Sequence, residues 1–300
     1  MTKITIGAVQ MACSEDRGLN IDQAESLVRE AAQRGAQLVL LQELFEAPYF
    51  CPEEQQAFFA LATTIAENPA VRRFQSVAKE LGVVIPVSFF ERAHNSYFNS
   101  LAMIDADGGL RGLYRKSHIP QAPGYREKFY FTPGDTGFMV FDTAVGRVGA
   151  GVCWDQWFPE AARLMALQGA EILLYPTAIG SEPDDASYDS QGHWRRTMQG
   201  HAAANMVPVI AANRIGRESH PSCVMDFYGS SFITDQFGAL LAEADRASRS
   251  VITASIDLTE NRMRRASWGL FRDRRIDLYA GLLTTDGRRS TIQSDRGAAE

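Results

Sequence analysis

The segment from Gly149 to Glu160 constrains the fold of this chain more than any other stretch. It begins with small and β-branched residues that suit a buried strand, because glycines permit close backbone approach. Pro159 has the φ that the first turn of a helix requires, and Gly169 ends that helix. The segment therefore predicts a buried strand, a sharp corner and a helix, with Cys153 at the carboxyl end of the strand.

Cys153 has two interpretations from this segment. Backbone N–H groups in such a corner can face a developing anion, and the start of the helix adds partial positive charge, so both favour the thiolate over the thiol. A lone cysteine in a globular protein is also commonly a small buried apolar residue. The segment by itself leaves both interpretations open.

Composition limits the class of protein. The chain has 300 residues, of which 45% are apolar and 22% charged, as in a soluble globular protein. Its net charge of −6 argues against binding to nucleic acid or to anionic membranes. No apolar run reaches membrane-spanning length, and the N-terminus lacks the apolar core of a signal peptide. We therefore expect a cytoplasmic protein with no membrane or nucleic-acid partner.

Motifs for metals, cofactors and disulfides are missing from the sequence. The four cysteines are widely spaced and do not form the framework of a small secreted domain. No C-x-x-C or H-E-x-x-H motif is present, and Gly146, Gly149 and Gly151 have the wrong spacing for a dinucleotide fingerprint. We expect reduced thiols, no metal and no cofactor.

The first part of the chain predicts a β-α-β unit. A strand over Ile4–Gln10 precedes a helix that we expect to begin at the N-cap Asn20, and a short apolar strand over Gln37–Gln42 follows. Such a unit implies two parallel strands. Glu43 then lies at the carboxyl end of its strand, the side where open α/β sheets bind ligands. A carboxylate in that position can also simply cap the next turn.

A second helix and a hairpin follow. Asn68 and Pro69 predict a helix start and Gly82 its end. Tyr97–Ile104 and Leu110–Lys116 predict the two arms of a hairpin, which places Lys116 at a strand end. Most lysines are solvated, so Lys116 alone says little about function. The next segment, 117–136, is longer than a simple connecting loop needs to be, so we expect it to pack over part of the molecule.

Strands and helices continue to alternate in the second half of the chain. The predicted elements are a hairpin of Gly137–Asp142 and Gly146–Val152, a strand at Glu171–Tyr175, a helix at Trp194–Met206, a strand at Pro208–Asn213, a hairpin within Ser231–Ala242 and a strand at Val251–Asp257. No linker composition or short repeat interrupts them. The pattern predicts one α/β domain over residues 1–300, with mixed sheets covered by helices.

Glu43, Lys116 and Cys153 come from three elements and each lies at or beside a strand end. Together they would form a chemically complete site. The carboxylate can accept the thiol proton, the ammonium can stabilise an oxyanion, and the sulfur can attack an electrophilic carbon.

The segments around these residues resemble a known family. Leu41–Phe45, Tyr114–Pro120 and Gly151–Asp155 are similar, in order and spacing, to the Glu-Lys-Cys signature blocks of the nitrilase (carbon–nitrogen hydrolase) superfamily. Further segments resemble its branch that hydrolyses N-carbamoylputrescine: 123–131, 133–138, 175–183, 198–201 and 271–275. The resemblance covers nearly the whole chain. It implies a four-layer α-β-β-α sandwich with mixed sheets, in dimers or larger homo-oligomers, with an extension from about residue 262 to 300 used in oligomer contacts.

The resemblance also implies catalytic roles. Cys153 would attack the ureido carbon of N-carbamoylputrescine and form a carbamoyl thioester, with putrescine, CO2 and ammonia as products. Glu43 would accept the thiol proton and later activate water. Lys116 and a backbone N–H near Trp154 would bind the oxyanion, an interaction typically worth ~3 kcal/mol of barrier. The family pattern adds a second glutamate, which falls on Glu127 and would orient Lys116 and the substrate nitrogen. Its alternative role is a salt bridge with Lys128 or a nearby arginine.

The substrate is less constrained than the chemistry. We expect substrate contacts from Tyr49, Tyr125, Trp154 and Asp155, although aromatic residues also commonly serve only core packing. Similar N-carbamoyl-D-amino acid hydrolases carry two arginines that suit a carboxylate, where this chain has Gln156 and Trp157. A ureido amine without a carboxylate is therefore the expected small-molecule partner.

One departure concerns the distal end of the substrate. The residues after Ile119-Pro120 are Gln121-Ala122, where the branch usually has Asp-Gly. The acidic residues left to hold a distal ammonium are Glu46, Glu182, Asp184 and Asp185. Another N-carbamoyl amine or amino-acid hydrolase, an ω-amidase and an aliphatic nitrilase stay open as alternatives, as does an inactive scaffold of the same fold.

Overall fold

The computed structural model describes residues 3–288 of the chain. The chain divides into two compact units, Met1–Asn261 and Arg262–Glu300, with the boundary inside its last α-helix. The part of the expected C-terminal extension at 289–300 lies outside the described residues.

The first sheet joins six strands of the first unit. They are β1 (Lys3–Gln10), β2 (Leu38–Leu40), β3 (Ile85–Ala93), β4 (Ser96–Ile104), β5 (Leu110–Arg115) and β14 (Ser250–Asp257). Their order is β14-β1-β2 and then β3-β4-β5. Backbone hydrogen bonds link the two halves, since Val39 N donates to Val84 O and Val84 N donates to Gln37 O, at 3.0 and 2.9 Å. Parallel and antiparallel pairs both occur, so the sheet is mixed.

The second sheet has six strands in the order β13-β12-β9-β8-β7-β6. They are β6 (Met139–Thr143), β7 (Gly146–Ala150), β8 (Ile172–Pro176), β9 (Val209–Ala212), β12 (Phe232–Thr234) and β13 (Leu240–Glu243). The central strands β7, β8 and β9 are parallel, and the outer pairs are antiparallel. A separate hairpin of β10 (Ile215–Ser219) and β11 (Val224–Tyr228), which the sequence patterns did not predict, follows β9.

Four helices of the first unit cover the sheets. They are α1 (Arg17–Gln33), α2 (Pro69–Leu81), α3 (Pro159–Leu167) and α4 (Gln191–Asn205). The side chains of β1 alternate between two cores, as a period of two requires. Ile4 and Ile6 join a core with residues of both sheets, such as Leu174 of β8, whereas Val9 packs in a second core with α1 and α2. Helices α3 and α4 pack on the outer face of the second sheet. The structure confirms the predicted four-layer α-β-β-α sandwich.

Local signals set most helix ends. Asn68 caps α2 through a hydrogen bond from Val71 N, and Gly82 ends it in the left-handed conformation. The predicted start of α1 at Asn20 is wrong, because Asp16 caps the helix by accepting from Leu19 N at 3.0 Å. Asn20 instead ties down the preceding loop, since its side chain accepts from Ser14 N. The hydrogen-bonding capacity of Asn20 is used by tertiary contacts that its sequence context does not reveal.

The second unit is small and carries many exposed apolar side chains. Helix α5 (Leu258–Trp268) ends in it, and a 3-10 segment covers Ile276–Leu283. Its exposed large apolar residues are Met263, Trp268, Ile276, Leu278, Tyr279, Leu282 and Leu283. Among residues 3–288, no helix is both long and apolar enough to cross a membrane.

Candidate active site

The predicted catalytic residues meet because both sheets align parallel strands. In the first sheet β2, β3 and β5 run the same way, and in the second β7, β8 and β9 do. Carboxyl ends of parallel strands share one edge of a sheet. Glu43 and Lys116 lie just beyond β2 and β5, and Cys153 lies just beyond β7.

Cys153 begins a 3-10 turn, Cys153–Trp157, between β7 and α3. Its φ of 43° is left-handed, a conformation that costs a non-glycine residue about 1–3 kcal/mol and that surrounding packing must enforce. Gly151 is part of that packing, because a Cβ there would lie 2.9 Å from the Tyr175 ring. The corner predicted from the sequence is therefore confirmed, and it holds the buried thiol in a strained, fixed position.

One carboxylate oxygen of Glu43 accepts two hydrogen bonds, and the other accepts none from the described residues. Its Oε1 accepts hydrogen bonds from Asn99 Nδ2 at 2.6 Å and from Lys116 Nζ at 2.9 Å. Its Oε2 is buried and has no hydrogen-bond partner among the described residues. A buried acceptor without a donor is costly, so such an atom commonly has a functional reason. This free oxygen suits a base that takes a proton from the thiol.

Lys116 lies between two carboxylates. Its ammonium donates to Glu43 Oε1 at 2.9 Å and to Glu127 Oε2 at 2.7 Å, and all three side chains are fully buried. Burial alone would lower the pKa of Lys116, but the negative charges of Glu127 and Glu43 outweigh it and raise that pKa well above its usual value. Lys116 is thus a fixed cation that can bind an oxyanion.

Glu127 belongs to a short 3-10 turn, Glu127–Phe129, inside the long segment 117–136. Its second oxygen accepts from the Tyr49 hydroxyl at 2.7 Å. Burial raises the pKa of Glu127 to about 6, the contact with Lys116 opposes the rise, and the charge of Glu43 adds to it. The alternative of a surface salt bridge with Lys128 does not describe this contact, because Glu127 is buried against Lys116.

The structure reverses one electrostatic expectation. The strand–helix corner predicts a thiolate, yet the pKa of Cys153 lies well above its usual value. Burial is the main cause, and the nearby charge of Glu43 outweighs the opposing effect of Lys116. The raised pKa favours the thiol over the thiolate, so a nucleophilic attack by this sulfur would need a base, and Glu43 is the nearby carboxylate with a free oxygen.

A cavity of about 430 Å³ opens above Cys153. Its lining is mostly apolar with a group of acidic residues, and it comprises Pro120, Ala122, Pro123, Tyr125, Cys153, Trp154, Gln156, Trp157, Ala178, Ile179, Glu182, Pro183, Asp184, Asp185, Tyr188, Ser190 and His193. None of these lining residues is lysine or arginine. Such a pocket suits a ligand with an apolar middle and a cationic end.

The four expected substrate contacts separate into two groups. Tyr125 and Trp154 line the cavity, whereas Tyr49 and Asp155 are not among its lining residues. Tyr49 uses its hydroxyl on Glu127. Asp155 is buried, and its carboxylate accepts from Tyr114 Oη, Val152 N and His118 N at 2.7–2.9 Å. Asp155 thus holds together the loops that carry Lys116 and Cys153.

Sequence patterns alone missed two buried amides in the site. Asn99 lies on β4 beside Lys116, whose N–H donates to the Asn99 carbonyl, and a lone amide on an apolar strand was the available signal. Gln156 Oε1 accepts from Thr177 Oγ1 and Trp194 Nε1, both at 2.8 Å. Because an indole N–H can only donate, this contact fixes the amide orientation. Gln156 Nε2 then has no hydrogen-bond partner among the described residues.

No group of three or more His, Cys, Asp or Glu side chains in residues 3–288 is arranged to hold a metal ion. The chemistry that the described side chains can supply is that of a nucleophilic thiol, a base and a buried cation. Those three functions together suit the hydrolysis of carbonyl-type substrates.

Comparison with known proteins agrees with this class. The family model for carbon–nitrogen hydrolases matches residues 5–265, so the chain belongs to the carbon–nitrogen hydrolase family and is an enzyme that hydrolyses carbon–nitrogen bonds. It is 56% identical to an N-carbamoylputrescine amidase from Arabidopsis thaliana, over 95% of this chain and 97% of the relative. A citrullinase from Francisella tularensis is 52% identical, over 93% and 98%.

A solved structure supports the same fold. The crystal structure of a carbon–nitrogen hydrolase from Helicobacter pylori superposes with a TM-score of 0.89 at 42% identity, covering 94% of this chain and 99% of that one. The predicted superfamily and its fold are confirmed.

Proposed function

We propose that this enzyme hydrolyses N-carbamoylputrescine to putrescine, CO2 and ammonia. The observation that carries the proposal is the cavity, whose lining contains the Cys153 thiol, the three carboxylates Glu182, Asp184 and Asp185, and a largely apolar surface. The ureido group needs the thiol end, the butyl chain needs the apolar wall, and the distal ammonium needs the carboxylates. The high identity to plant N-carbamoylputrescine amidases supports the same substrate.

In the first half of the proposed reaction, sulfur replaces one nitrogen of the urea. The free oxygen of Glu43 takes the thiol proton as Cys153 attacks the carbonyl carbon. Lys116 Nζ, together with a backbone N–H near Trp154, binds the oxyanion that forms. The tetrahedral species then expels putrescine, which leaves with the proton held by Glu43. The product on the enzyme is a carbamoyl thioester of Cys153.

In the second half, water replaces sulfur. Glu43 accepts a proton from the water as the water attacks the thioester carbon, and Lys116 again binds the oxyanion. Expulsion of the sulfur gives carbamic acid, which breaks down to CO2 and ammonia, and the proton on Glu43 returns to Cys153. Glu127 acts on Lys116, because its carboxylate fixes the ammonium from the side opposite Glu43.

Citrulline is a second candidate substrate. It carries the same ureido group, and its carboxylate would need hydrogen-bond donors in the cavity. Gln156 Nε2 and Trp157 Nε1 line or border the cavity as buried donors without a partner among the described residues, which favours an acceptor-bearing ligand. The lining has three carboxylates that can pair with an ammonium and no lysine or arginine that could pair with a carboxylate, which favours the amine.

The enzyme's setting is also proposed. We place it in the cytoplasm, in putrescine synthesis from agmatine, and as a homo-oligomer. All four cysteines are free thiols, which suits a reducing compartment. The exposed apolar side chains of the second unit suit a contact with another copy of the chain.

The test is steady-state hydrolysis by the purified protein, with ammonia and the released amine both measured. N-carbamoylputrescine runs beside citrulline, N-carbamoyl-β-alanine, an N-carbamoyl-D-amino acid and a short ω-amide. We expect kcat/KM for N-carbamoylputrescine to exceed the values for the other substrates by at least about 100-fold. The other substrates would lose the contact between the distal ammonium and the carboxylates, and their reacting group would be misplaced relative to Cys153. Preference for citrulline or another substrate would overturn the assignment.

Two variants tie the turnover to the proposed nucleophile. Cys153→Ala should abolish hydrolysis, because no other described thiol lies in the cavity lining. Cys223→Ala is the matched control and should keep full activity. Activity in Cys153→Ala would disprove the covalent route.

A further inference from the structure

Arg214 is a buried arginine that the proposed reaction does not use. It follows β9, and its side chain is fully buried. Its Nη2 atom donates to the backbone carbonyls of Glu43 at 3.1 Å and of Leu44 at 3.0 Å. Both Nη atoms also approach the carbonyl of Ala47 at 3.4 Å. The guanidinium therefore holds the main chain that carries the proposed base.

This main chain needs an external restraint. Leu44, directly after Glu43, has a φ of 47°, in the left-handed region that L-residues rarely adopt. Such a conformation persists only where surrounding contacts enforce it. Hydrogen bonds from Arg214 to the carbonyls of Glu43 and Leu44, which flank the Leu44 Cα atom, supply such contacts, since buried carbonyls need donors.

Arg214 is also connected to Glu127, through Glu218 and Tyr49. Arg214 Nη1 donates to Glu218 Oε1 at 2.8 Å, and Glu218 Oε2 accepts from Tyr49 N at 2.6 Å. The hydroxyl of Tyr49 donates to Glu127 at 2.7 Å. Arg214 also lies 5.7 Å from the Tyr49 ring centroid. The pair Arg214–Glu218 thus fixes both the backbone and the ring of the residue that holds Glu127.

These contacts form a closed circuit of hydrogen bonds. Arg214 contacts the Glu43 backbone, the Glu43 carboxylate contacts Lys116, and Lys116 contacts Glu127. Glu127 in turn contacts Tyr49, Tyr49 contacts Glu218, and Glu218 contacts Arg214. Each link is a hydrogen bond or a covalent connection, and the side chains are buried apart from that of Glu218, which is 9% exposed. A shift of Arg214 would therefore move both carboxylates that flank Lys116.

We propose that Arg214 and Glu218 are positioning residues, which together hold Glu43 and Glu127 at the geometry required on either side of Lys116. Neither residue lines the cavity above Cys153, so they act through Glu43 and Tyr49 and not on the substrate. The proposal rests on the catalytic roles assigned to Glu43 and Glu127 in the proposed function. It adds that the geometry of those residues depends on this buried pair.

Two conservative variants test the pair. Arg214→Lys keeps the positive charge but loses the planar fork that reaches several acceptors at once. Glu218→Gln keeps an oxygen for Tyr49 N and removes the charge opposite Arg214. Arg73→Lys is the control, because Arg73 makes comparable contacts to Asp22 and Glu25 on the exposed surface between α1 and α2.

The readouts separate positioning from folding. The fraction of folded sites is titrated by complete alkylation of Cys153 with iodoacetamide, and kcat is expressed per titrated site. The rate constant of that alkylation is a second readout, which needs Glu43 but no substrate. Circular dichroism and the melting temperature record the fold.

We expect Arg214→Lys to lower kcat per site by about 10- to 100-fold, as a small misplacement of a catalytic group does, with KM changed by less than about threefold. Glu218→Gln should lower kcat per site by about tenfold, because the second acceptor of the pair stays in place. Alkylation should slow in both variants, and Arg73→Lys should match the wild type in each measurement.

The outcomes distinguish this proposal from the proposed function. Unchanged kcat per site and unchanged alkylation rates in both variants would overturn the positioning role, even if their melting temperatures fall. Slowed alkylation in a protein that does not hydrolyse N-carbamoylputrescine would support the positioning role and refute the substrate assignment.

Discussion

At the residue scale, the central feature is one ammonium held between two buried carboxylates. Burying any one of these charges without a partner would carry a large desolvation cost, and only the contacts among the three groups offset that cost. Lys116 therefore stays charged, and the free oxygen of Glu43 stays available to the thiol. The same crowding keeps Cys153 protonated at rest. In the proposed reaction the thiol therefore loses its proton as it attacks and not before.

The first prediction concerns pH. The pKa of Glu127 is raised to about 6, so below that pH its carboxyl is protonated and loses its ionic contact with Lys116. The kcat/KM of the wild type should therefore fall as the pH drops through about 6. In Glu127→Gln the side chain is neutral at every pH, so kcat/KM should be lower by about 100-fold at pH 7 and lack this acidic limb. If kcat/KM of the variant still fell below about pH 6, the fall would be due to the titration of another group.

The same shift predicts the sign of a stability change. A carboxyl whose pKa is higher in the folded than in the unfolded state binds its proton more tightly when folded. The contribution of Glu127 to stability is therefore largest below its unfolded pKa and falls as the pH rises to about 6. The melting temperature of Glu127→Gln should lack this fall, relative to the wild type measured over the same pH range.

The second prediction concerns the distal end of the substrate. Glu182 lines the cavity and is half-buried, and burial raises its pKa. Glu182→Gln removes a negative charge without changing the shape, so KM for N-carbamoylputrescine should rise about tenfold, the value of one charged hydrogen bond. Butylurea, which lacks the ammonium, is the matched substrate and should be hydrolysed equally by both proteins. An equal loss with butylurea would show that Glu182 shapes the cavity and does not bind the amine.

At the element scale, the segment 117–136 packs over the end of β5. The predicted use of this long segment is confirmed, because it delivers Glu127 to the site and bonds back to the strand that carries Lys116. Gly134 N donates to the Lys116 carbonyl at 2.8 Å. A Cβ on Gly134 would lie 2.1 Å from the Arg115 oxygen. Only glycine permits this approach.

The third prediction follows from that contact. Gly134→Ala should push the segment away from β5, lower the free energy of unfolding by about 2–4 kcal/mol and reduce kcat, because Lys116 and Glu127 both move. Gly200→Ala is the control. A Cβ at Gly200 in α4 meets nothing within 4 Å, so that change should raise the free energy of unfolding by about 0.5–1 kcal/mol. Urea denaturation measures both. A neutral Gly134→Ala would show that the segment is free to shift.

At the scale of the whole molecule, the second unit suggests how the chain associates. Over residues 262–288 it leaves large apolar side chains in water, including Leu282 at 65% exposure and Leu283 at 89%. Monomeric proteins seldom expose such groups together. A second copy of the chain is the proposed partner.

The fourth prediction tests that contact. Leu282→Glu combined with Leu283→Glu should shift the protein to a smaller species, because each buried charge would cost several kcal/mol at an interface. Sedimentation velocity measures the change. Leu110→Glu, at an exposed leucine of the first unit at the start of β5, is the control and should leave the species unchanged. A wild type that sediments as a monomer would refute the oligomer proposal.

The sequence by itself determined most of the local structure and, through its resemblance to a family, the class of reaction. Capping residues, glycines and period-two alternation fixed α2, α3 and the hairpin of β4 and β5, because those signals act within a few residues of each element. Spacing along the chain placed Glu43, Lys116 and Cys153 at strand ends, and parallel strands brought them together. Resemblance to the superfamily supplied Glu127.

Only the tertiary structure decided the partners and the charge state of the site. Asn99 and Tyr49 donate to the carboxylates of Glu43 and Glu127, and Arg214 donates to the backbone carbonyl of Glu43. These partners come from distant parts of the chain, and no local pattern encodes such pairs. The reversal at Cys153 has the same cause. A strand–helix corner favours a thiolate, but burial beside Glu43 depends on how two sheets pack, and in this fold burial outweighs the local field.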